Sequence, residues 1–170
     1  MSTTPIPFRL RPWHMDDLDA LVRHANNPRI AANLRNAFPH PYTRESGENF
    51  LNMVVPATPT RVFAIEINGE ACGGIGVHPQ GDIHEKSAEI GYWLSEQYWG
   101  HGVITRALQE IVPYAFATWD VVRLFAIPFH TNIGSQRVLE KAGFTLEATL
   151  KKAIYKNGEY FDELIYVVFR

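Results

Sequence analysis

Apolar and polar side chains alternate with period two in short stretches of this chain. Between those stretches apolar residues recur every three or four positions, so strands and helices are read in turn. Phe8 to Arg11 reads as an edge strand that Pro12 breaks. Asp16 and Asp17 then place negative charge at the start of a helix carrying Leu18, Leu21 and Val22. Asn26-Asn27-Pro28 ends that helix, Arg29 to Asn36 reads as a short one, and after the proline-rich loop Phe38 to Tyr42 a further helix runs from a Thr43 cap to Val54. Arg61 to Ile67 and Ala71 to His78 are strands joined by the hairpin turn Asn68-Gly69. The run Gly73-Gly74-Ile75-Gly76 has no helix after it, so it reads as a bulge or a close backbone approach.

Ser87 to Leu94 is the next strand, with Ala88, Ile90, Tyr92 and Leu94 on one face and Glu89, Gly91 and Trp93 on the other. A carboxylate in so apolar a strand must be paired or used, which singles out Glu89. From Val103 to Thr118 the positions Ile104, Ala107, Leu108, Ile111 and Ala115 mark the buried face of a helix, in which Pro113 predicts a kink or break. Val121 to Phe129 is a buried strand interrupted late by Pro128. Asn132 caps the following helix, with Ser135 in its first turn and Gly143 as its left-handed stop. Phe144 to Tyr155 and Tyr160 to Phe169 form a last hairpin around Asn157-Gly158. This order implies an α+β, or mixed α/β, domain around one twisted sheet.

A chain of 170 residues, 46% of them hydrophobic, is long enough for one well-buried domain spanning 1–170 and short for two. Its formal net charge is only −2 with the basic residues scattered, so no stripe for nucleic acid is visible and no DNA partner is expected. No apolar run reaches membrane-spanning length, and Met1 to Arg9 lacks the apolar segment of an export signal. The lone Cys72 cannot form an internal disulfide, which suits a reducing compartment. A cytoplasmic protein with no membrane partner is expected. His78, Asp82, His84 and Glu85 surround a turn without a fixed ligand geometry, and no metal is expected.

The stretch Gln97-Tyr98-Trp99-Gly100-His101-Gly102 lies between a strand and a helix. Two glycines one residue apart let the backbone turn sharply, and the helix that follows adds N–H donors and the positive end of its dipole. That combination suits an anion, although glycines alone at such a turn also serve as a plain connection. No second glycine pair completes G-x-G-x-x-G and no Gly-Lys-Ser/Thr is present, so dinucleotide and triphosphate loops fit worse.

The spacing Gln-x-x-Gly-x-Gly, preceded by Glu89 to Leu94 and followed by Asn132-Ile-Gly-Ser135-Gln-Arg-Val-Leu-Glu-Lys-Ala-Gly-Phe144, resembles the GNAT superfamily of acetyl-CoA-dependent N-acetyltransferases. The resemblance runs from about Arg9 to the C-terminus and is nearest to the RimJ/RimL branch, which Tyr155, Tyr160 and Asp162 also resemble. It implies a GNAT-like fold, one twisted mixed, mostly antiparallel sheet flanked by helices, with central strands that splay apart to admit acetyl-CoA as co-substrate. The backbone of Trp93, Leu94 and Ser95 would then hold the pantetheine arm. N–H groups of Tyr98, Trp99, Gly100, His101, Gly102 and Val103 would hold the pyrophosphate, with Gln97 tethering the loop.

The reaction implied is direct attack of an amine on the thioester. Glu89 is the candidate general base or, as an alternative, a structural carboxylate. Ser135 would donate to the leaving sulfur, Asn132 would hold the pantetheine, and Tyr155 is a second candidate acid. Asn33, Phe38 and Tyr42 fall where the acceptor cleft is bordered, as substrate contacts or simply as loop and packing residues. Cys72 is placed away from these motifs, which disfavours an acetyl-cysteine intermediate. The acceptor expected is a protein or peptide N-terminal α-amino group; a polyamine or aminoglycoside-like amine, and a non-catalytic CoA-binding module, are the alternatives. A homodimer stays open.

Overall fold

The computed structural model describes residues 5–170. The reading of Met1 to Arg9 as free of an export signal falls in part on residues 1–4, outside the described residues. The strands are β1 (Arg9–Pro12), β2 (Val62–Ile67), β3 (Glu70–Pro79), β4 (Ser87–Leu94), β5 (Arg123–Ala126), β6 (Thr145–Lys156) and β7 (Glu159–Phe169). The α-helices are α1 (Leu18–Ala25), α2 (Pro28–Ala31), α3 (Arg44–Val54), α4 (Val103–Thr118) and α5 (Ile133–Lys141). The sheet has seven strands in the order β1-β2-β3-β4-β5-β7-β6, and the β4–β5 pair is parallel. It is the mixed, mostly antiparallel sheet flanked by helices that the sequence implies. Among the described residues no helix is long and apolar enough to cross a membrane.

Local signals set most boundaries. Thr43 caps α3 through a reciprocal box: its hydroxyl accepts from the Ser46 N–H while the Ser46 hydroxyl accepts from the Thr43 N–H. Asn68-Gly69 and Asn157-Gly158 both have positive φ at each residue, the backbone of a type I′ hairpin. Three expectations shift. The helix over Arg29 to Asn36 is only Pro28–Ala31, started by Asn27, whose side chain accepts from the Arg29 N–H, and followed by turns. The strand over Val121 to Phe129 is confined to Arg123–Ala126, since Pro128 cannot donate to a ladder and Phe129 makes only an isolated bridge to Glu163. Pro113 does not end α4: it is exposed, and so is Gln109, whose carbonyl loses its helical donor and can turn to water instead.

The chain falls into two compact units, one comprising the described part of Met1–Gly76 with Tyr92–Ala107, the other Val77–Gly91 with Leu108–Arg170. In the first, α1 packs on α3 over Trp13, Leu18, Leu21, Ala25, Tyr42, Leu51 and Val54, with Trp13 edge-on to Phe50. In the second, Leu124, Leu139, Phe144 and Tyr166 are buried, and the β6–β7 ladder is the longest pairing.

Charge closes the corner of the first unit. Arg11 donates from Nη1 and Nη2 to both oxygens of Asp17 at 2.8 and 2.7 Å, and from Nε to Glu66. All three side chains are mostly buried. Burial pushes the Asp17 carboxyl up, but Arg11 and the His14 N–H outweigh it and hold it below the usual carboxylate range. The Arg11 hydrogen bond lowers Glu66 in the same way.

Acids depressed in the folded state stabilise it above their unfolded values of about 4, and that contribution is lost as pH falls through the folded values. Arg11→Met is therefore expected to cost about 2 kcal/mol near pH 7, since it removes charge-assisted hydrogen bonds from two sheltered carboxylates. Urea unfolding at about pH 7 and about pH 3 should show the variant losing less stability on acidification than the parent protein.

Candidate functional site

At the end of β4 the Ser95 N–H donates to the Cys72 carbonyl of β3 at 2.8 Å, and a 3-10 turn follows over Glu96–Tyr98. The N–H groups of Tyr98 and Trp99 close that turn on the carbonyls of Ser95 and Glu96, both at 3.0 Å. Donors for an anion therefore come from the next residues. Gly100 and Gly102 have φ of +77° and +70°, while His101 between them does not share that conformation. Two left-handed residues within three turn the backbone sharply and lead it into the N-terminus of α4, 16 residues long, whose first N–H groups suit an anion. A Cβ on either glycine would meet nothing within 4 Å, so glycine is required there by backbone conformation alone.

The loop is tied back at several points. The Trp99 indole N–H donates to the Leu94 carbonyl at 2.8 Å, and the Arg29 guanidinium lies over the Trp99 ring at 5.5 Å. Glu96 accepts from Asn27 at 2.8 Å and from Arg29. Upstream, β3 approaches β4 closely: a Cβ on Gly73 would stand 2.6 Å from the Trp93 carbonyl oxygen, and one on Gly74 2.8 Å from the Trp93 indole nitrogen. The glycine run is thus a close backbone approach next to a register shift, in which Cys72 is the extra residue between the pairs Glu66↔Ala71 and Ile65↔Gly73.

The expected residues of the first unit are Trp93, Leu94, Ser95, Gln97, Tyr98, Trp99, Gly100, His101, Gly102 and Val103, which follow one another through this turn, together with Asn33, Phe38 and Tyr42. Trp93 is half-buried, its ring 5.7 Å from Phe38. Tyr42 is 4% exposed in the hydrophobic core and burial pushes its phenol up to about 12. Phe38 packs against that core, and the Asn33 side chain donates to the Arg29 carbonyl at 3.3 Å.

Glu89, Asn132 and Ser135 belong to the second unit. Glu89 is half-buried opposite Phe125, at the last pair of the β4–β5 ladder, whereas β4 itself runs on to Leu94. Asn132 caps α5, its side-chain oxygen accepting from the Ser135 N–H at 3.2 Å. Tyr155 and Tyr160 are exposed cross-strand partners, their rings 5.0 Å apart.

One constellation escaped the sequence reading. His24, in the last turn of α1, has Nδ1 3.0 Å from the Ser95 hydroxyl and Nε2 3.1 Å from Glu70 and 3.6 Å from the Cys72 sulfur. Tyr98 lies beside the same thiol, and burial pushes that thiol up. Cys72 is therefore not remote from the motifs but adjoins Ser95 and Tyr98, a correction that follows from the β3–β4 contact. A cavity of about 440 Å³ opens here, lined by Arg23, His24, Asn27, Glu70, Ser95 and Glu96 among others. The signal that could have found it, Glu70 and Cys72 two apart after a hairpin, is too common to notice.

Comparison with known proteins gives a family and a fold. Residues 8–145 match the acetyltransferase (GNAT) domain. The ribosomal-protein-serine acetyltransferase of Escherichia coli K12 is 40% identical over 82 residues, 48% of this chain and 45% of that protein. The spermidine N(1)-acetyltransferase of the same organism is 26% identical over 168 residues, covering 95% of this chain and 86% of that one. Among solved structures, Mycobacterium smegmatis RimJ in complex with CoA-disulfide superposes with a TM-score of 0.82 at 25% identity, over 98% of this chain and 86% of that chain. The chain spans about half the length of the first curated relatives it matches.

Gly102→Ala is expected to destabilise the ligand-free protein by about 1–2 kcal/mol, the cost of a left-handed L-residue, because its Cβ meets open space. Gly73→Ala should cost more, since its Cβ would meet a backbone carbonyl that cannot step aside. Urea midpoints of the two variants give the ranking.

Proposed function

Because the chain belongs to the acetyltransferase (GNAT) domain family, we propose that residues 1–170 act as an acetyl-CoA-dependent N-acetyltransferase that moves an acetyl group to a primary amine. One observation carries most of this reading: a strand whose ladder with β5 stops at Glu89 continues into a turn with two left-handed glycines and then into the start of α4. In this reading N–H groups from Gly100 through Val103 hold the pyrophosphate, with Tyr98 and Trp99 shaping the turn that presents them. The backbone of Trp93 and Leu94 holds the pantetheine arm and polarises the thioester carbonyl.

The chemistry needs a neutral amine, a stabilised oxyanion and a departing thiolate. Glu89 takes the amine proton, directly or through a water. Nitrogen forms its bond to the carbonyl carbon, and the carbon–sulfur bond then breaks. Ser135 donates to the sulfur, a light task because a thiol has a pKa of about 8.5 and leaves readily as thiolate. Asn132 holds the amide region of the pantetheine and orders the first turn of α5.

For the acceptor we favour a protein or peptide α-amino group, as in the RimJ/RimL branch; the 40% identity to a ribosomal-protein-serine acetyltransferase supports it. A polyamine is the second reading, supported by the likeness to a spermidine acetyltransferase over 95% of this chain.

Acetyl-CoA at about 100 times its dissociation constant should stabilise the folded protein by about 2.7 kcal/mol, seen as a raised melting temperature. No shift at saturation would remove the cofactor assignment. Thiol release with peptide and with spermidine as acceptors then decides between the two readings. Glu89→Gln should slow turnover by about 100-fold or more while keeping the acetyl-CoA shift; an unchanged rate would take Glu89 out of the mechanism.

A further inference from the structure

Glu70 and the bulged Cys72 of β3 bring their side chains together, and the last turn of α1 adds His24 to them. His24 Nε2, a Glu70 carboxylate oxygen and the Cys72 sulfur all lie within 4.8 Å of one another. From these residues we propose that the protein binds a zinc-class divalent cation between α1 and β3, at a three-ligand site that adjoins Ser95 and uses none of the residues assigned to proton transfer.

The spacing fits the ion. Zinc bonds of about 2.0–2.1 Å to nitrogen, 2.3 Å to sulfur and 2.0–2.2 Å to oxygen give tetrahedral edges of roughly 3.3–3.6 Å. The nitrogen–oxygen and nitrogen–sulfur separations are 3.1 and 3.6 Å, and the carboxylate oxygen lies within 4.8 Å of the sulfur, so closing on the ion draws the Glu70 carboxylate toward the thiolate. Thiolate with imidazole selects a borderline-soft ion over magnesium or calcium, and thiolate plus carboxylate balance its two charges.

Supporting contacts are already in place. The Ser95 hydroxyl stands 3.0 Å from His24 Nδ1; with the imidazole proton on Nδ1 donated to that oxygen, the Nε2 lone pair faces the site. Arg23 donates to Oε1 of Glu70 at 2.7 Å, leaving Oε2, the oxygen near His24, for the ion. Binding releases the thiol proton, and any proton on Nε2 moves to Nδ1 or to water. The cavity that His24 and Glu70 line has room for water or a small molecule as a fourth ligand.

Cobalt(II) is the spectroscopic probe, added to the chelator-treated protein. The expected result is a near-ultraviolet thiolate-to-cobalt charge-transfer band together with visible bands of four-coordinate intensity, both displaced by zinc. Cys72→Ser should abolish the charge-transfer band. Glu70→Gln, at a half-exposed side chain, should keep the band and weaken zinc at least tenfold in competition with a chelating dye. His84→Ala, at an exposed histidine elsewhere, should change nothing. The proposal is overturned if the parent protein shows no thiolate band at saturating cobalt, or if Glu70→Gln binds zinc as tightly as the parent. These readouts do not involve acetyl transfer, so they stand or fall apart from the enzymatic reading.

Discussion

The hydrogen bond from the Ser95 N–H to the Cys72 carbonyl fixes where β4 ends, and the rest of the loop is built on that end. Two residues earlier, β3 comes so near to Trp93 that only glycine is accommodated at positions 73 and 74. A strand pinned this closely cannot slide along its neighbour without driving a carbonyl into a Cα. The 3-10 turn over Glu96–Tyr98 therefore starts from a fixed point, and so do the two left-handed glycines beyond it. The placing of the glycine turn therefore comes from this anchoring and from the contacts around Trp99, because an added Cβ on Gly100 or Gly102 would meet only open space.

The segment between α1 and α3 does a related job from the opposite side of the loop. Asn27 and Arg29 converge on Glu96, and Arg29 also covers Trp99, whose indole returns to the Leu94 carbonyl. Cation, carboxylate and aromatic ring thus restrain one another across almost seventy residues of sequence. Exposed ion pairs of this type add little stability singly, so their contribution is better sought in the order they impose on the loop than in the melting temperature.

A bulge with one extra residue, Cys72, has a second consequence. It brings a thiol and a carboxylate of β3 together and presents them to the imidazole of α1. The same β3 carbonyl that pins Ser95 belongs to the residue whose sulfur faces His24, so whatever occupies that cluster is felt one hydrogen bond away from the start of the loop.

By itself the sequence determined the elements and their order: period-two and period-3.6 patterning, Asn-Gly turns, the Thr43 and Asn132 caps and the Gly143 stop are local chemistry, readable without a partner. The Gly-x-Gly turn was legible for the same reason, since φ belongs to one residue. Boundaries that depend on a neighbour were less so: α2 is shorter than its apolar pattern, and β5 ends two residues before the Pro128 that interrupts its run. Tyr42, an acceptor candidate by position in the chain, lies in the same buried cluster as Trp13 and Leu51, its ring against Phe38. Only tertiary structure decided that Cys72 adjoins Ser95 and that His24 meets Glu70. Those encounters join side chains tens of residues apart, and their distances arise from packing and strand register rather than from any periodicity along the chain.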